Sequence, residues 1–206
     1  MYKLPHFTED NEELVFEFMQ KNSFAILTGF DGNFPVATHV PLDIKRTGNN
    51  QFVFTGHMMK NTDHHKAFSQ NENVLVIFTG PHCYVSASWY VKKDVASTWN
   101  YMDVQAKGKI TFGDAGDTKK IIENITNKYE SSESEAAFSK LPQEYVDRLV
   151  KAIIGFTIEI SSVENVFKLS QNHVIETRQS ILDHLALRKD ESSHTIAEEM
   201  KKRMLQ

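Results

Sequence analysis

The hydrophobic positions of the chain switch repeatedly between helical and strand periods. After Thr8 and Asp10, two capping candidates, Leu14, Val15, Phe18 and Met19 fall on one side of a helical wheel, which predicts a short amphipathic helix over Asp10–Asn22. Apolar runs at Phe24–Thr28 and Phe34–Ile44 then flank Asp31-Gly32, a dipeptide suited to the positive backbone angles of a hairpin turn, so two antiparallel strands are predicted. Gln51–Gly56, Asn73–Thr79, Cys83–Tyr90 and Thr98–Phe112 add further strand-like runs, mostly separated by Gly, Pro or Asn. Polar Asn61–Asn71, carrying Ala67 and Phe68, reads as one surface helix between strands. Helical spacing returns at Ile121, Ile122, Ile125 and Tyr129, and again from Tyr145 to Ile153 behind Pro142, with a polar loop at Glu130–Glu135 between the two runs. Gly155–Ser170 alternates through Phe156, Ile158 and Ile160, a late strand returning to the β body. Val174–Arg188 and Thr195–Leu205 close the chain as helices, with Thr195 and Glu198 spaced as a capping box.

Strand parity sorts side chains before any site is considered, because successive residues alternate across a sheet. A regular strand over Cys83–Tyr90 puts Cys83, Val85, Ala87 and Trp89 on one face and Tyr84, Ser86, Ser88 and Tyr90 on the other. In Phe34–Ile44 the same rule groups Val36, Thr38, Val40, Leu42 and Ile44 with Phe34 and leaves Ala37 and His39 opposite, so His39 is expected outside the core.

Composition narrows the classes. The chain has 206 residues, 40% of them hydrophobic, enough for a core without staples. The single cysteine, Cys83, forms no internal disulfide, and neither a signal-type segment nor a bilayer-length apolar run is present, so a reducing, cytoplasmic setting without membrane contact is expected. Lys+Arg 23 against Asp+Glu 27 gives a net charge of -4, which supplies no global field toward nucleic acid. His64 and His65 lack cysteine or carboxylate partners at a binding spacing, so no metal site is expected, and Cys83 is given no catalytic role.

The segment Gly80–Tyr101 concentrates Trp89, Tyr90, Trp99 and Tyr101 with His82, Ser86, Ser88, Thr98 and Asn100, a mixture suited to a planar aromatic ligand. The strings ATHVPL (Ala37–Leu42), GHMMKN (Gly56–Asn61), VIFTGPHCYVSASWY (Val76–Tyr90), TWNY (Thr98–Tyr101) and KLSQN (Lys168–Asn172), with the opening MYKLPHF, resemble the PaiB-like FMN-binding negative transcriptional regulators. The resemblance implies an α+β fold: a split β-barrel of the flavin-reductase and pyridoxamine-phosphate-oxidase kind with peripheral helices. The resemblance runs over most of 1–172, expected as the barrel domain, and carries little beyond it; the helices predicted over 173–206 are read as a C-terminal extension packed on the same domain. The resemblance further implies a homodimer with FMN at the subunit interface, lined by Thr38, His39, His57, Lys60, Asn61, Ser86, Ser88, Trp89, Thr98, Trp99, Asn100 and Tyr101. Lys60 and His57 are assigned the phosphate end, and Trp99 or Trp89 the ring wall. Lys60 stands where arginine is common, Cys83 and Val85 where alanine and isoleucine are, and Ala87 and Ser97 where proline is.

Two function classes follow. The first is an FMN-binding negative regulator of transcription acting directly or through a partner; the second is a flavin-dependent oxidoreductase or haem-handling enzyme on the same barrel. No catalytic set is legible. No helix-turn-helix is legible either, and the C-terminal pair carries only Lys201, Lys202 and Arg203 as a basic cluster, so DNA contact has no clear motif behind it.

Overall fold

The computed structural model describes residues 1, 4–48 and 50–204; Tyr2 and Lys3 of the opening string and Leu205 of the last expected helix lie outside the described residues. The order of elements is α1 (Glu12–Lys21), β1 (Phe24–Phe30), β2 (Pro35–Arg46), β3 (Phe52–Met59), α2 (Asp63–Gln70), β4 (Asn73–Val85), β5 (Thr98–Phe112), α3 (Ala115–Tyr129), α4 (Gln143–Ala152), β6 (Ile153–Lys168), α5 (Ile175–Ala186) and α6 (Glu191–Lys202). The strands hydrogen-bond as a closed barrel in the order β1-β2-β3-β6-β5-β4. Closure removes the free edges that an open sheet would expose.

The β1–β2 hairpin forms at the expected dipeptide. Gly32 takes φ +99°, and the Asp31 carboxylate accepts from the amides of Asn33 (2.7 Å) and Phe34 (2.6 Å). These two backbone donors hold the Asp31 pKa below the usual carboxylate range. The turn sets Phe30 opposite Pro35 and Ile26 opposite His39. In β2, Val36, Val40, Leu42 and Ile44 are buried while Ala37 and His39 are exposed, as alternation requires.

Several local expectations are corrected. Asn11, rather than Thr8 or Asp10, caps α1, its Oδ1 accepting from the amides of Glu13 and Leu14. Asp190 caps α6 by accepting from Ser193 N–H (2.8 Å); Thr195 lies inside that helix and donates to the Glu191 carbonyl, so no capping box forms there. The box exists at α3 instead, between Asp114 and Asp117. The two runs on either side of Gly80-Pro81 are one strand, β4, which stops at Val85.

The chain divides into two compact units, each discontinuous in sequence. One comprises residues 19–78 and 105–163, with Leu27, Leu42, Phe54, Phe78, Phe156 and Ile158 fully buried in it. Beneath α3 and α4, Ile122, Phe138, Val146 and Ile153 form a further apolar cluster. The other comprises residues 1–18, 79–104 and 164–206; Phe167, Leu169, Ile181 and Leu185 are fully buried there.

Glycine permits the closest strand approach in the first of these units. A Cβ on Gly108 of β5 would lie 2.4 Å from the Glu159 carbonyl oxygen of β6, an atom fixed by the ladder. Gly108→Ala is expected to destabilise the protein by about 2–3 kcal/mol, the upper range for overpacking, lowering Tm by roughly 5–10 °C in thermal unfolding. An unchanged Tm would contradict the packing described.

Candidate functional site

Five of the twelve expected site residues belong to the unit built on 19–78 and 105–163. Thr38 sits on the inward face of β2 between buried Val36 and Val40, whereas His39 is exposed and stacks on Phe24 with ring centroids 5.6 Å apart and an interplanar angle of 27°. His57, on β3 opposite Gly155, has a buried Nδ1 without a hydrogen-bond partner among the described residues. Burial holds its pKa below the usual 6.5, so the ring is neutral near pH 7 and offers a hydrogen bond rather than a charge.

Lys60 follows the end of β3. Its amide donates to the Ala152 carbonyl (2.9 Å) and its Nζ to the Val150 carbonyl (3.2 Å), so the ammonium lies against the C-terminal end of α4 and offsets that end's negative dipole. Asn61 takes φ +64°, and its N–H donates to His65 Nδ1 (3.2 Å), which leaves the His65 proton on Nε2. Thr62 caps α2 by accepting from His65 N–H.

The other seven belong to the unit containing 79–104. Here the regular alternation expected over Cys83–Tyr90 fails. Ser86 accepts from Ser88 N–H and converts the chain into a 3-10 turn over Ala87–Trp89, because a serine side chain competes with the ladder for nearby amides. Tyr90, expected beside the serines on a hydroxyl-bearing face, is consequently buried, while Trp89 turns toward α5. Its ring stacks on His184 (4.8 Å, 16°) and lies 5.0 Å from the Arg188 guanidinium carbon. Ser86 and Ser88 share a hydroxyl hydrogen bond of 2.8 Å. Two departures from the family pattern meet here: Ala87 N–H donates to Ser97 Oγ (3.0 Å), a bond for which proline at 87 has no donor and proline at 97 no acceptor.

Along β5 parity divides the TWNY string. Asn100 is 0% exposed; its Oδ1 accepts from Ser170 Oγ (3.0 Å) and its Nδ2 lies 3.5 Å from Met200 Sδ, so this amide serves the fold. Thr98, on the same face, accepts from Lys168 Nζ. Trp99 points the other way and is 53% exposed, beside His82 (centroids 6.0 Å) and the 43% exposed Tyr84 (5.9 Å, edge-on). Tyr101 follows on that face, half-buried.

His82, Tyr84 and Trp99 thus form an exposed aromatic cluster, a surface suited to a planar ring. Tyr84 and His82 were absent from the expected lining, although both lie in the aromatic segment. Lys168 was absent too; its place in the KLSQN string was its only signal. A groove of about 530 Å³ with Thr28, Gln51, Lys107, Lys109 and Ser161 among its lining holds none of the twelve expected residues.

These features fit FMN in chemical kind. Trp99 and Tyr84 offer exposed ring surface, and His57 Nδ1 and the Tyr90 hydroxyl are buried polar atoms still lacking partners among the described residues. Bound FMN supplies a redox-active isoalloxazine ring; binding and orienting it fall to the chain.

Burial also depresses the pKa values of His65 and His173 from 6.5. With His57, three histidines therefore take up protons more readily in the unfolded chain. Their stabilising contribution is complete above about pH 6.5 and is lost as pH falls through that value. Urea midpoints are expected to fall from pH 7.5 to 5.5, less steeply in His57→Gln; an equal slope in the variant would contradict a buried neutral His57.

Comparison with known proteins agrees with this architecture. The sequence profile of the family described as "Putative FMN-binding domain" matches residues 1–162. The chain is 29% identical over 205 residues to protease synthase and sporulation protein PAI 2 of Bacillus subtilis (strain 168), covering 99% of this chain and 98% of that one. It is 27% identical over 256 residues to an uncharacterized protein of Aspergillus fumigatus, covering 98% and 97%. Among solved structures, the flavocytochrome Anf3 from Azotobacter vinelandii superposes with a TM-score of 0.60 at 12% identity, covering 81% of this chain and 72% of that one. The FAD and heme binding protein from Mycobacterium smegmatis gives 0.58 at 12%, covering 78% and 73%. At such identities these two likenesses show the fold, an α+β split barrel. With the profile matched over most of its length, the chain belongs to the FMN-binding domain family, and FMN is its cofactor.

Proposed function

We propose that the protein binds FMN as a homodimer, with the isoalloxazine ring against Trp99, and acts as a negative regulator of transcription in the cytoplasm. The observation that carries the ring assignment is the exposure of Trp99. An indole 53% exposed beside Tyr84 and His82 is available to stack, whereas Trp89 is already engaged by His184 and Arg188. An apolar surface of this kind is normally covered by a ligand or a partner. His39 and the 67% exposed Phe24 offer a second aromatic surface, suited to contact with another copy of the chain.

The regulatory reading draws on the likeness to the sporulation protein PAI 2. Action through a partner is favoured over direct DNA contact by the state of the C-terminal cations. Arg203 pairs with Glu9 (2.9 Å) and Glu199 (2.7 Å), and Lys202 with Glu199 (2.6 Å), so the cluster is largely neutralised within the protein. We read 173–206 as an extension of the barrel domain, supported by the packing of α5 on the 3-10 turn at Trp89. The single cysteine, buried with its thiol pKa pushed up to about 11, suits a reducing compartment.

Titration of flavin-stripped protein with FMN, read by tryptophan fluorescence with sizing of the same sample, tests the reading. Quenching that saturates on a dimer is expected. In Trp99→Leu the residual quench should be small and FMN affinity weaker by about tenfold, in line with roughly 1–3 kcal/mol for an aromatic stack. Trp89→Leu should lower Tm while leaving most of the affinity. Full quenching in Trp99→Leu would move the ring elsewhere.

A further inference from the structure

Lys168, the last residue of β6, is half-buried, and its Nζ donates to Thr98 Oγ1 and lies 5.9 Å from the Phe7 ring centroid. Among the described residues no carboxylate pairs with it, and burial lowers its pKa with no opposing charge to raise it. Several other cations are compensated: Lys109 by Glu72, Lys140 by Glu135, Lys202 and Arg203 by Glu199, and Lys60 by the C-terminal carbonyls of α4. A partly desolvated ammonium without a counter-charge is costly unless something negative arrives.

His173 is kept neutral by burial and by the Lys168 charge. Its ring packs 4.7 Å from that of Tyr90, which is 3% exposed and whose hydroxyl has no partner among the described residues. Directly after His173, α5 begins behind Val174, which gives its first-turn amides no side-chain cap. The acid of that turn, Glu176, is exposed. The Tyr90 ring and the Lys168 charge thus both act on His173, and the uncapped start of α5 follows it directly in the chain.

We infer that Lys168 and Thr98, with the Tyr90 hydroxyl and the start of α5, form a subsite for a phosphate dianion, carried on a monoester or free. Lysine supplies the point charge. Thr98 Oγ1, which accepts from Lys168, keeps its own proton to donate, and the helix terminus adds amides and a positive dipole end. Tetrahedral phosphate, with three terminal oxygens, can use all of these donors. The phosphate belongs either to FMN, in which case the inference rests on the proposed function and moves the phosphate anchor from Lys60 to Lys168, or to a free phosphate.

The test titrates wild-type protein, Lys168→Met, Lys168→Arg, Thr98→Val and Lys60→Met with FMN and riboflavin by fluorescence, and with inorganic phosphate by 31P line broadening. Lys168→Met is expected to weaken FMN about tenfold or more and leave riboflavin unchanged, as loss of a charge-assisted contact implies. Lys168→Arg should restore most of the affinity, Thr98→Val should weaken FMN alone, and Lys60→Met should change FMN little. Unchanged FMN binding in Lys168→Met, or equal losses for FMN and riboflavin, removes FMN from the subsite while leaving the FMN reading intact, and phosphate broadening indifferent to Lys168 then overturns the subsite. If wild type binds neither flavin, that reading fails; phosphate broadening abolished by Lys168→Met then upholds the subsite for a free phosphate, and broadening indifferent to Lys168 overturns it. Should Lys168→Met not fold, Lys168→Arg and Thr98→Val decide: FMN loss in Thr98→Val with retention in Lys168→Arg supports the subsite, and no loss in Thr98→Val overturns it.

Discussion

Alternation along β5 is the constraint from which the functional picture follows. A strand cannot present neighbouring side chains on one face, so Thr98 and Asn100 are turned to one side and Trp99 and Tyr101 to the other. The core claims Asn100, whose side-chain oxygen accepts from Ser170 and whose Nδ2 lies against Met200 Sδ. Thr98, one step nearer the strand's start, keeps access to Lys168. Trp99 has no core to enter and remains an exposed indole. Residues that stand together in the TWNY string therefore do different work.

Charge compensation is the second ordering principle. Every half-buried cation must be matched by a carboxylate, a helix terminus or a ligand, and the two candidate lysines differ in this respect. Lys60 completes α4, so its charge already contributes to the fold. Lys168 donates to Thr98 and lies over the Phe7 ring but meets no carboxylate among the described residues, and the Tyr90 hydroxyl and the start of α5 keep donors of their own. The same reasoning applied to α6 removes a DNA-binding stripe, since Arg203 ties the C-terminal helix to Glu9 near the chain's beginning.

Much of the fold was legible because local chemistry and period agreed. Asp31-Gly32 specified its hairpin, β5 ran over the expected Thr98–Phe112, and Ile121 and Ile122 marked the buried side of α3. What the sequence hid were competitions between neighbours of similar propensity. Ser86 looked like one more polar residue in an alternating strand, yet its hydroxyl captures the Ser88 amide and ends β4, which reverses the expected fates of Trp89 and Tyr90. Asn11 and Asp190 outcompeted Thr8, Asp10 and Thr195 for helix caps, a contest among residues of nearly equal capping strength. Lys168 was invisible because nothing in its sequence neighbourhood distinguishes an uncompensated lysine from a solvated one.

The central claim, that the exposed Trp99 cluster receives the flavin ring, is tested most directly by nuclear Overhauser effects between bound FMN and selectively labelled tryptophan. Cross-peaks from the isoalloxazine protons to the Trp99 indole, with none to Trp89, are the predicted result. Cross-peaks to Trp89, or to neither indole in a saturated complex, would contradict it.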